Sequence, residues 1–355
     1  MIFGINCFTP EGRSGHVAVI VNNQIYFMGG SRLIPDGNPI KSSIRKYNLS
    51  NEVFSLDLTS QFSTINPSYV KLPDSQMAYG SEKGTAVVGG PSKEDVYLVG
   101  STLQNLTLLN QIDNNATITS NQTLMINELI NTWNVTNQPI FVYRPSVQSW
   151  FSPDSQGGPM IRRRSTSTVI DQNGRIIYMF GGRAQIETGS LTLICFNDLY
   201  TYDTTVSKWS QINAANAPSP RSNSPAILLQ NGKILYIGGV YQISPGEATL
   251  PIDMNNIAKS SIPIQARAGH TATLTPDNKT IIIIGGTSSN ITNNETSSNE
   301  TNPYIYLLDL PCKSWVTIFK PGESSCPKPS VNVNNVFDNP IYKGLIISGI
   351  VLIVF

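Results

Sequence analysis

The feature that most constrains this chain is a recurring unit in which a short apolar strand runs into two adjacent glycines. The stretch "GRSGHVAVIVNNQIYFMGG" (12–30) is restated by "RRRSTSTVIDQNGRIIYMFGG" (162–182), "PRSNSPAILLQNGKILYIGG" (220–239) and "ARAGHTATLTPDNKTIIIIGG" (266–286). Self-similarity along a chain marks a repeat architecture, in which no unit can bury its apolar surface alone. Arg13, Arg163, Arg221 and Arg267 each stand three residues before one slot, filled by His16, Thr166, Ser224 and His270. A histidine that Thr and Ser replace in sister copies is poorly placed to be a catalyst.

Each copy reads as a strand, a tight turn and a second strand. The turns are Asn22-Asn23, Asn173-Gly174, Asn231-Gly232 and Asp277-Asn278, and Asn-Gly is the strongest short hairpin signal. The second strands end at Gly29-Gly30, Gly181-Gly182, Gly238-Gly239 and Gly285-Gly286. They are apolar without polar alternation, which means burial on both faces. Paired glycines at the end allow backbones to approach where a side chain would clash.

A second signal follows the hairpins. "YNLSNEVF", "YRPSVQSW", "YDTTVSKW" and "LDLPCKSW" set an aromatic or apolar residue seven positions before a large aromatic: Tyr47/Phe54, Tyr143/Trp150, Tyr202/Trp209 and Leu308/Trp315. A turn lies between the members of each pair, so the two ends are expected on neighbouring strands of one sheet. The unit is then four strands, two inner and two outer.

These residues, the Arg-x-Gly-His slot, the strand ending in Gly-Gly and the Tyr…Trp pair, resemble the kelch repeat over about residues 12 to 318. The resemblance implies an all-β fold, a kelch-type β-propeller of four-stranded antiparallel blades. It places the arginines, glycines and tryptophans in structural positions, with His16 and His270 buried at blade contacts. Five repeats are recognisable, and the ring is left open between five and six blades.

Two repeats are irregular. In "GTAVVGGPSKEDVYLVGS" the second strand is read as Asp95 to Val99, so Gly100-Ser101 holds the pair position and Gly89-Gly90 lies in the preceding turn. An Asn-rich insertion from Gln104 to Gln138 follows and is expected to be a long surface loop. In the fourth repeat "MNNI" (254–257) matches "FNDL" (196–199), but no Tyr…Trp pair arrives before the fifth repeat. One or two outer strands are missing, to be replaced by Lys259 to Gln265 or another segment, or left as an imperfection. "IFGINCF" at the N terminus is a candidate outer strand for the last blade.

Composition limits the function classes. Net charge is +1 and charged residues are 13% of the chain, so no basic field offers itself to nucleic acid. With 27 Gly and 23 Pro the chain suits short strands and turns, and no long amphipathic helix is visible. Cys7, Cys195, Cys312 and Cys326 form no zinc spacing. Cys312 and Cys326 are close enough to pair in an oxidising compartment, and isolated thiols are the equal alternative.

The apolar terminus Leu345 to Phe355 is shorter than the ~20 residues that cross a bilayer. It reads as a truncated transmembrane helix, a lipid-anchor signal or a buried strand, the first being favoured. The expected domains are 1–320 propeller, 321–341 stalk, with Pro321, Pro327 and Pro329, and 342–355 apolar segment. "MIFGINCF" shows no targeting peptide. Sequons at Asn48, Asn105, Asn115, Asn121, Asn134, Asn278, Asn290, Asn294 and Asn299 exceed chance only slightly, yet most fall between strands, where a glycan could be carried.

The search for chemistry returns little. Both histidines sit in repeat slots, and there is no Ser/His/Asp constellation and no phosphate loop. A copper oxidase resembling galactose oxidase would need imidazole ligands that the slots already use, and the iron-dependent plant kelch proteins need acidic and His ligands that are not spaced for it. No catalytic residue, cofactor or metal is expected. Arg162 and Arg164 read as a solvated turn, and Trp133 as an exposed contact aromatic or a cover for the blade edge. The expected function is a non-catalytic scaffold binding a protein or a glycan through loops Ser31–Ser43, Gln104–Gln138, Arg183–Leu193, Val240–Thr249 and Thr287–Asn302. It would sit on a membrane, the propeller on the extracytoplasmic side. The alternative is a soluble cytoplasmic adaptor of the trafficking or ubiquitin-ligase type. The BTB or F-box module common in the ligase type is not expected, since the sequence opens at its first repeat.

Overall fold

The computed structural model describes residues 8–34, 47–57, 59, 68–115, 129–133, 138–157, 161–214, 217–252, 254, 264, 266–275, 277–284, 287–288, 300–301, 305–316 and 350–353. Two compact units are distinguished: Met1–Met179 with Arg183–Leu193 and Tyr200–Ser210, and Phe180–Gly182 with Ile194–Leu199 and Gln211–Phe355.

Each repeat builds an antiparallel sheet. The first joins Val17–Val21, Gln24–Met28, Val53–Asp57 and Tyr69–Lys71, and the second Thr85–Gly89, Asp95–Val99, Ile140–Arg144 and Ser149–Phe151. The third joins Ser167–Ile170, Ile176–Phe180, Leu199–Asp203 and Lys208–Ile212, and the fifth Thr271–Leu274, Thr280–Ile284, Ile305–Asp309 and Ser314–Val316. The inner turns close on Asn22, Gly174, Gly232 and Asn278, all at positive φ, the backbone that Asn and Gly adopt at least cost. The outer turns close the same way on Gln148, Ser207 and Lys313, with φ of +48°, +52° and +51°.

Burial on both faces has a direct cause. Along Asp95–Val99, Val96 and Leu98 join a core shared with the first repeat, with Val17, Met28 and Val53. Tyr97 and Val99 point the other way, into a core shared with the third, with Ile177, Tyr202 and Trp209. Alternate side chains leave opposite faces of a strand, so a sheet between two neighbours needs apolar residues at every position. In the other unit Leu235, Ile237, Ile281, Ile283 and Trp315 form the equivalent core of the fourth and fifth repeats.

Two of the aromatic pairs are direct cross-strand partners, Tyr143 opposite Trp150 and Leu308 opposite Trp315, and the Tyr202 and Trp209 rings stand 4.8 Å apart. Tyr47/Phe54 does not follow. Tyr47 lies in a separate small sheet, opposite Leu33, while Phe54 occupies the third main strand opposite Lys71. The first repeat carries a longer connection after its third strand, so the seven-residue spacing there was fortuitous.

The second repeat is as read, with Asp95–Val99 as its second strand and Gly89-Gly90 at the turn. Its insertion departs from a plain surface loop. Leu106–Asn115 is a helix: the side chain of Asn105 accepts the Leu108 N–H as an N-cap, and Leu109 is buried on the inward face. The far end of the insertion is fastened to its start, the Asn105 N–H donating to the Thr132 carbonyl at 2.7 Å and Gln104 Nε2 to Thr132 Oγ1 at 3.2 Å. Trp133 is half-buried rather than exposed, and its carbonyl accepts from Arg162 at 2.9 Å.

Among the described residues the fourth repeat supplies Ala226–Leu228 and Ile234–Ile237 to its main sheet, and Ile350–Ile353 lies beside the latter as third strand. The terminal segment expected as a truncated membrane helix is thus strand at these four residues. Among the described residues no helix is long and apolar enough to cross a membrane. Of the stretch proposed to fill the gap, Lys259 to Gln265, only Ile264 is described, and it is buried in the core. The match of "MNNI" to "FNDL" is also two residues out of register, because Ile252, not Met254, makes the backbone bond that Phe196 makes. At the N terminus Phe8 bridges to Tyr69 of the first repeat, not to the last; residues 1–7 lie outside the described set.

Candidate functional site

The glycine pairs are where the chain leaves each main sheet. Gly29 and Gly30 have φ of +69° and +94°, Gly181 and Gly182 +63° and +84°, Gly238 and Gly239 +57° and +88°. The N–H of each second glycine reaches into the next repeat: Gly30 to the Ser81 carbonyl at 2.7 Å, Gly182 to Arg221 at 2.9 Å and Gly239 to Arg267 at 2.8 Å. Its own carbonyl accepts from Ser50, Phe196 or Ile252 at 2.7, 2.9 and 3.0 Å. A Cβ on Gly181 would lie 2.6 Å from the Arg221 oxygen, closer than carbon and oxygen pack. Gly285 and Gly286 lie outside the described residues.

Past each pair the chain does not dissolve into loop. It forms a second, smaller ladder against the segment at the arginine position, which Ser81 holds in the second repeat: Ser31–Leu33 on Arg13–Ser14, Thr102–Gln104 on Gly80–Glu82, Val240–Tyr241 on Arg221–Ser222 and Thr287–Ser288 on Arg267–Ala268. In the third repeat Arg183 bridges Arg164. Two residues after each arginine position the backbone again takes positive φ, at Gly15, Lys83, Ser165, Asn223 and Gly269. These residues are linked from repeat to repeat, Lys83 N–H to Gly15 at 2.7 Å, Ser165 to Lys83 at 2.8 Å and Gly269 to Asn223 at 3.1 Å. The sequence signal for them was the Gly of Arg-x-Gly-His, hidden where Lys, Ser and Asn replace it. Strands of two or three residues are too short for periodicity to reveal.

The hairpins carried by these small ladders expose large apolar side chains. Leu33 and Tyr47, opposite each other, are 56% and 52% exposed, Leu191 is 98% and Ile243 69% exposed. Ile186 and Leu250 are exposed as well. The supports beneath are buried and polar. Gln242 accepts the Cys195 N–H through Oε1 at 2.7 Å and donates from Nε2 to the Glu247 carbonyl at 2.8 Å, which ties the hairpin around Val240 to its neighbour. In the third repeat Gln185 and Thr188 cap each other around a short turn.

The repeat residues are packed away from these tips, with one exception. Arg13 donates to the Gly29 carbonyl at 3.1 Å and to Glu52 at 2.8 Å. Burial alone would raise the Glu52 carboxyl, but hydrogen bonds from Arg13 and Lys71 and the Arg32 charge outweigh it and hold it at about 2. Arg221 is buried, and that burial pulls its guanidinium down to about 10. Arg267, also buried, stacks 4.0 Å over the Tyr306 ring. Arg163 is buried 5.7 Å from the Tyr200 ring centre. His270 is buried, and desolvation with the Arg267 charge drives it down to about 3, so it is neutral. His16 is the exception: it is exposed, its ring 6.2 Å from Phe27. Desolvation of the ring's inner side and Arg13 still lower its pKa.

Trp209 and Trp315 are buried and Trp150 half-buried, Trp150 donating from Nε1 to the Ser75 carbonyl at 2.8 Å. Arg162 and Arg164 are not a solvated turn. Both are buried, Arg164 pairing with Glu82 at 3.3 Å and Glu187 at 3.8 Å. Cys195 is a buried thiol 3.8 Å from Ser222 Oγ and outside any disulfide, and Cys312 is disulfide-bonded to a partner outside the described residues. Among the described residues no group of three or more His, Cys, Asp or Glu side chains is placed to hold a metal ion.

Comparison with known proteins follows the same lines. The KLHDC2/KLHL20/DRC7 kelch-repeats domain profile matches residues 131–256. Curated relatives include the dynein alpha chain of the flagellar outer arm of Chlamydomonas reinhardtii, 35% identical over 95 residues, 26% of this chain and 2% of that protein. Another is the Rho GTPase-activating protein gacHH of Dictyostelium discoideum, 28% identical over 102 residues, 28% of this chain and 6% of that protein. The chain therefore spans only a small part of the length of either. Among solved structures YjhT superposes with a TM-score of 0.56 at 15% identity, over 86% of this chain and 83% of its own, a likeness of fold. Repeat residues, sheet order, the profile over residues 131–256 and the structural neighbour together support a kelch-type β-propeller.

Proposed function

We propose that this propeller is a non-catalytic protein-interaction scaffold whose contact elements are the hairpins after the glycine pairs. The kelch propeller itself suggests a protein-interaction role, and one observation favours these hairpins as the seat of it. The conspicuous Arg, Gly and Trp positions are consumed by backbone contacts and core packing, while Leu33, Tyr47, Leu191 and Ile243 are exposed on the segments that follow the glycine pairs. Exposed apolar side chains on a fixed framework are what a partner surface buries. The disulfide at Cys312 supports placing the chain in an oxidising, extracytoplasmic compartment. A glycan partner has no comparable support, since an apolar tip suits a protein surface better.

The test is quantitative affinity capture from the source proteome with the tagged full chain and with a Leu33→Asp/Leu191→Asp/Ile243→Asp variant. The reading expects proteins enriched by the parent to be lost by the variant at unchanged melting temperature. Equal enrichment by both, or stoichiometric copper or iron in the purified protein, would overturn it.

A further inference from the structure

Among the described residues the third strand beside Ile234–Ile237 does not come from the fourth repeat, and the terminal apolar run lies outside the repeat pattern. The structure brings the two together. Ile350–Ile353 runs antiparallel to Ile234–Ile237, with Ile234 opposite Ile353, Leu235 opposite Leu352, Tyr236 opposite Val351 and Ile237 opposite Ile350. In the first and fifth repeats the corresponding place is filled by Val53–Asp57 and Ile305–Asp309, which directly continue their own repeats.

We propose that the Ile234–Ile237 strand is a strand-acceptor site and that its occupant is the chain's own C-terminal strand. Left alone, this strand would present a free row of N–H and C=O groups at the edge of a sheet whose Ile234, Leu235, Tyr236 and Ile237 are buried, the arrangement most prone to capture another strand. Ile-Val-Leu-Ile is the type of sequence such an edge selects, β-branched and apolar at almost every position. Main-chain hydrogen bonds supply the affinity, and burial on both faces of the sheet supplies the preference for apolar residues.

The tether argues for the chain's own terminus over a second copy. Residues 317–349 separate the last strand of the fifth repeat from Ile350. Being joined to the same chain, the segment meets the acceptor at an effective concentration that a separate copy at ordinary dilution does not reach. A helix in a bilayer and a strand in this sheet are exclusive uses of Ile350–Ile353. Among the described main sheets, only the fourth takes a strand from more than a hundred positions along the chain, and that strand can leave without unravelling the repeat around it.

Hydrogen exchange at Ile234–Ile237 and the melting temperature test this with the full chain, a chain ending at Pro340, and full chains carrying Val351→Pro or Leu352→Pro. Along an antiparallel ladder alternate residues aim their N–H groups at the partner, so one of the two prolines must remove a ladder bond even if the truncated chain does not fold. The expected results are exchange at least about tenfold faster and a melting temperature about 5 °C or more lower in the truncated chain and in one proline variant. A synthetic 345–355 peptide added to the truncated chain should reverse both. Unchanged exchange and melting in all variants would overturn the proposal. So would protection that appears only with dimerisation in light scattering, or a full chain that enters membranes with Ile234–Ile237 as exchangeable as in the truncated chain.

Discussion

The Gly239 N–H donates to the Arg267 carbonyl at 2.8 Å, so one repeat is joined to the next through a residue that has no side chain to interfere. The same bond recurs from Gly182 to Arg221 and from Gly30 to Ser81. Stacking repeats therefore depends on backbone approach as much as on apolar packing, and the glycine pair is the element that allows it.

Replacing Gly239 tests that dependence. At φ +88° a Cβ would be strained, and it would lie 2.6 Å from the Ser222 carbonyl oxygen and against Ser224 Oγ, which is itself bonded to Gly238 at 2.6 Å. Gly239→Ala should cost about 3 kcal/mol or more. Gly232 has φ +79° but nothing within 4 Å of an added Cβ, and Gly232→Ala should cost only about 1 kcal/mol. Urea unfolding of the two variants beside the parent measures the difference.

Acid should weaken the fold through His270 before it does so through carboxylates. Its folded pKa, about 3, lies below its ordinary 6.5, so between these values the unfolded chain takes up a proton that the folded chain refuses. The stability this group contributes is complete above pH 6.5 and falls as pH drops toward 3, by up to about 1.4 kcal/mol per pH unit. Glu52, held at about 2 against an ordinary 4.5, adds a loss only below pH 4.5. Urea midpoints from pH 7.5 to 4.5 should therefore decline in the parent and decline less in His270→Gln, where His16 remains the histidine with a lowered pKa.

Much of this was legible in the sequence and some of it was not, for identifiable reasons. The strand–turn–strand–Gly-Gly unit repeats its β-branched runs and turn residues, so its strands and the fold class could be read from particular positions such as Gly174 and Gly232. The small ladders could not, because pairs such as Arg221–Ser222 with Val240–Tyr241 are too short to carry a period and depend on partners brought near by tertiary structure. Tyr47 was assigned by spacing alone and belongs to one of those ladders. Arg162 and Arg164 read as surface from their charge, yet their guanidinium groups find Trp133 and Glu82 from distant parts of the chain. The terminal run has no polar alternation, so pattern could not tell helix from strand; its partner Ile234–Ile237 is more than a hundred positions away.

Asp95 and Arg144 make an asymmetric pair whose loss depends on which member is removed. Two hydrogen bonds of 2.8 Å join them, with the Asp95 side chain 2% and the Arg144 side chain 45% exposed. Arg144→Met leaves a buried carboxylate without its cation and should cost about 2 kcal/mol. Adding Asp95→Asn to that variant should recover part of the loss, a coupling that a double-mutant cycle by thermal unfolding reads directly.

The hairpin tips should behave in the opposite manner. Leu191 and Ile243 are 98% and 69% exposed, so Leu191→Asp and Ile243→Asp should each change stability by no more than about 0.5 kcal/mol. Calorimetry on the single variants checks this independently of any partner.

The division of labour between repeat positions and hairpins is tested most directly by measuring melting temperature and partner capture together, on His270→Gln and on the Leu33→Asp/Leu191→Asp/Ile243→Asp variant. The expected result is a lowered melting temperature with partners retained below the transition for the first, and an unchanged melting temperature with partners lost for the second. A histidine variant that melts like the parent but loses its partners, beside a hairpin variant that keeps them, would contradict it.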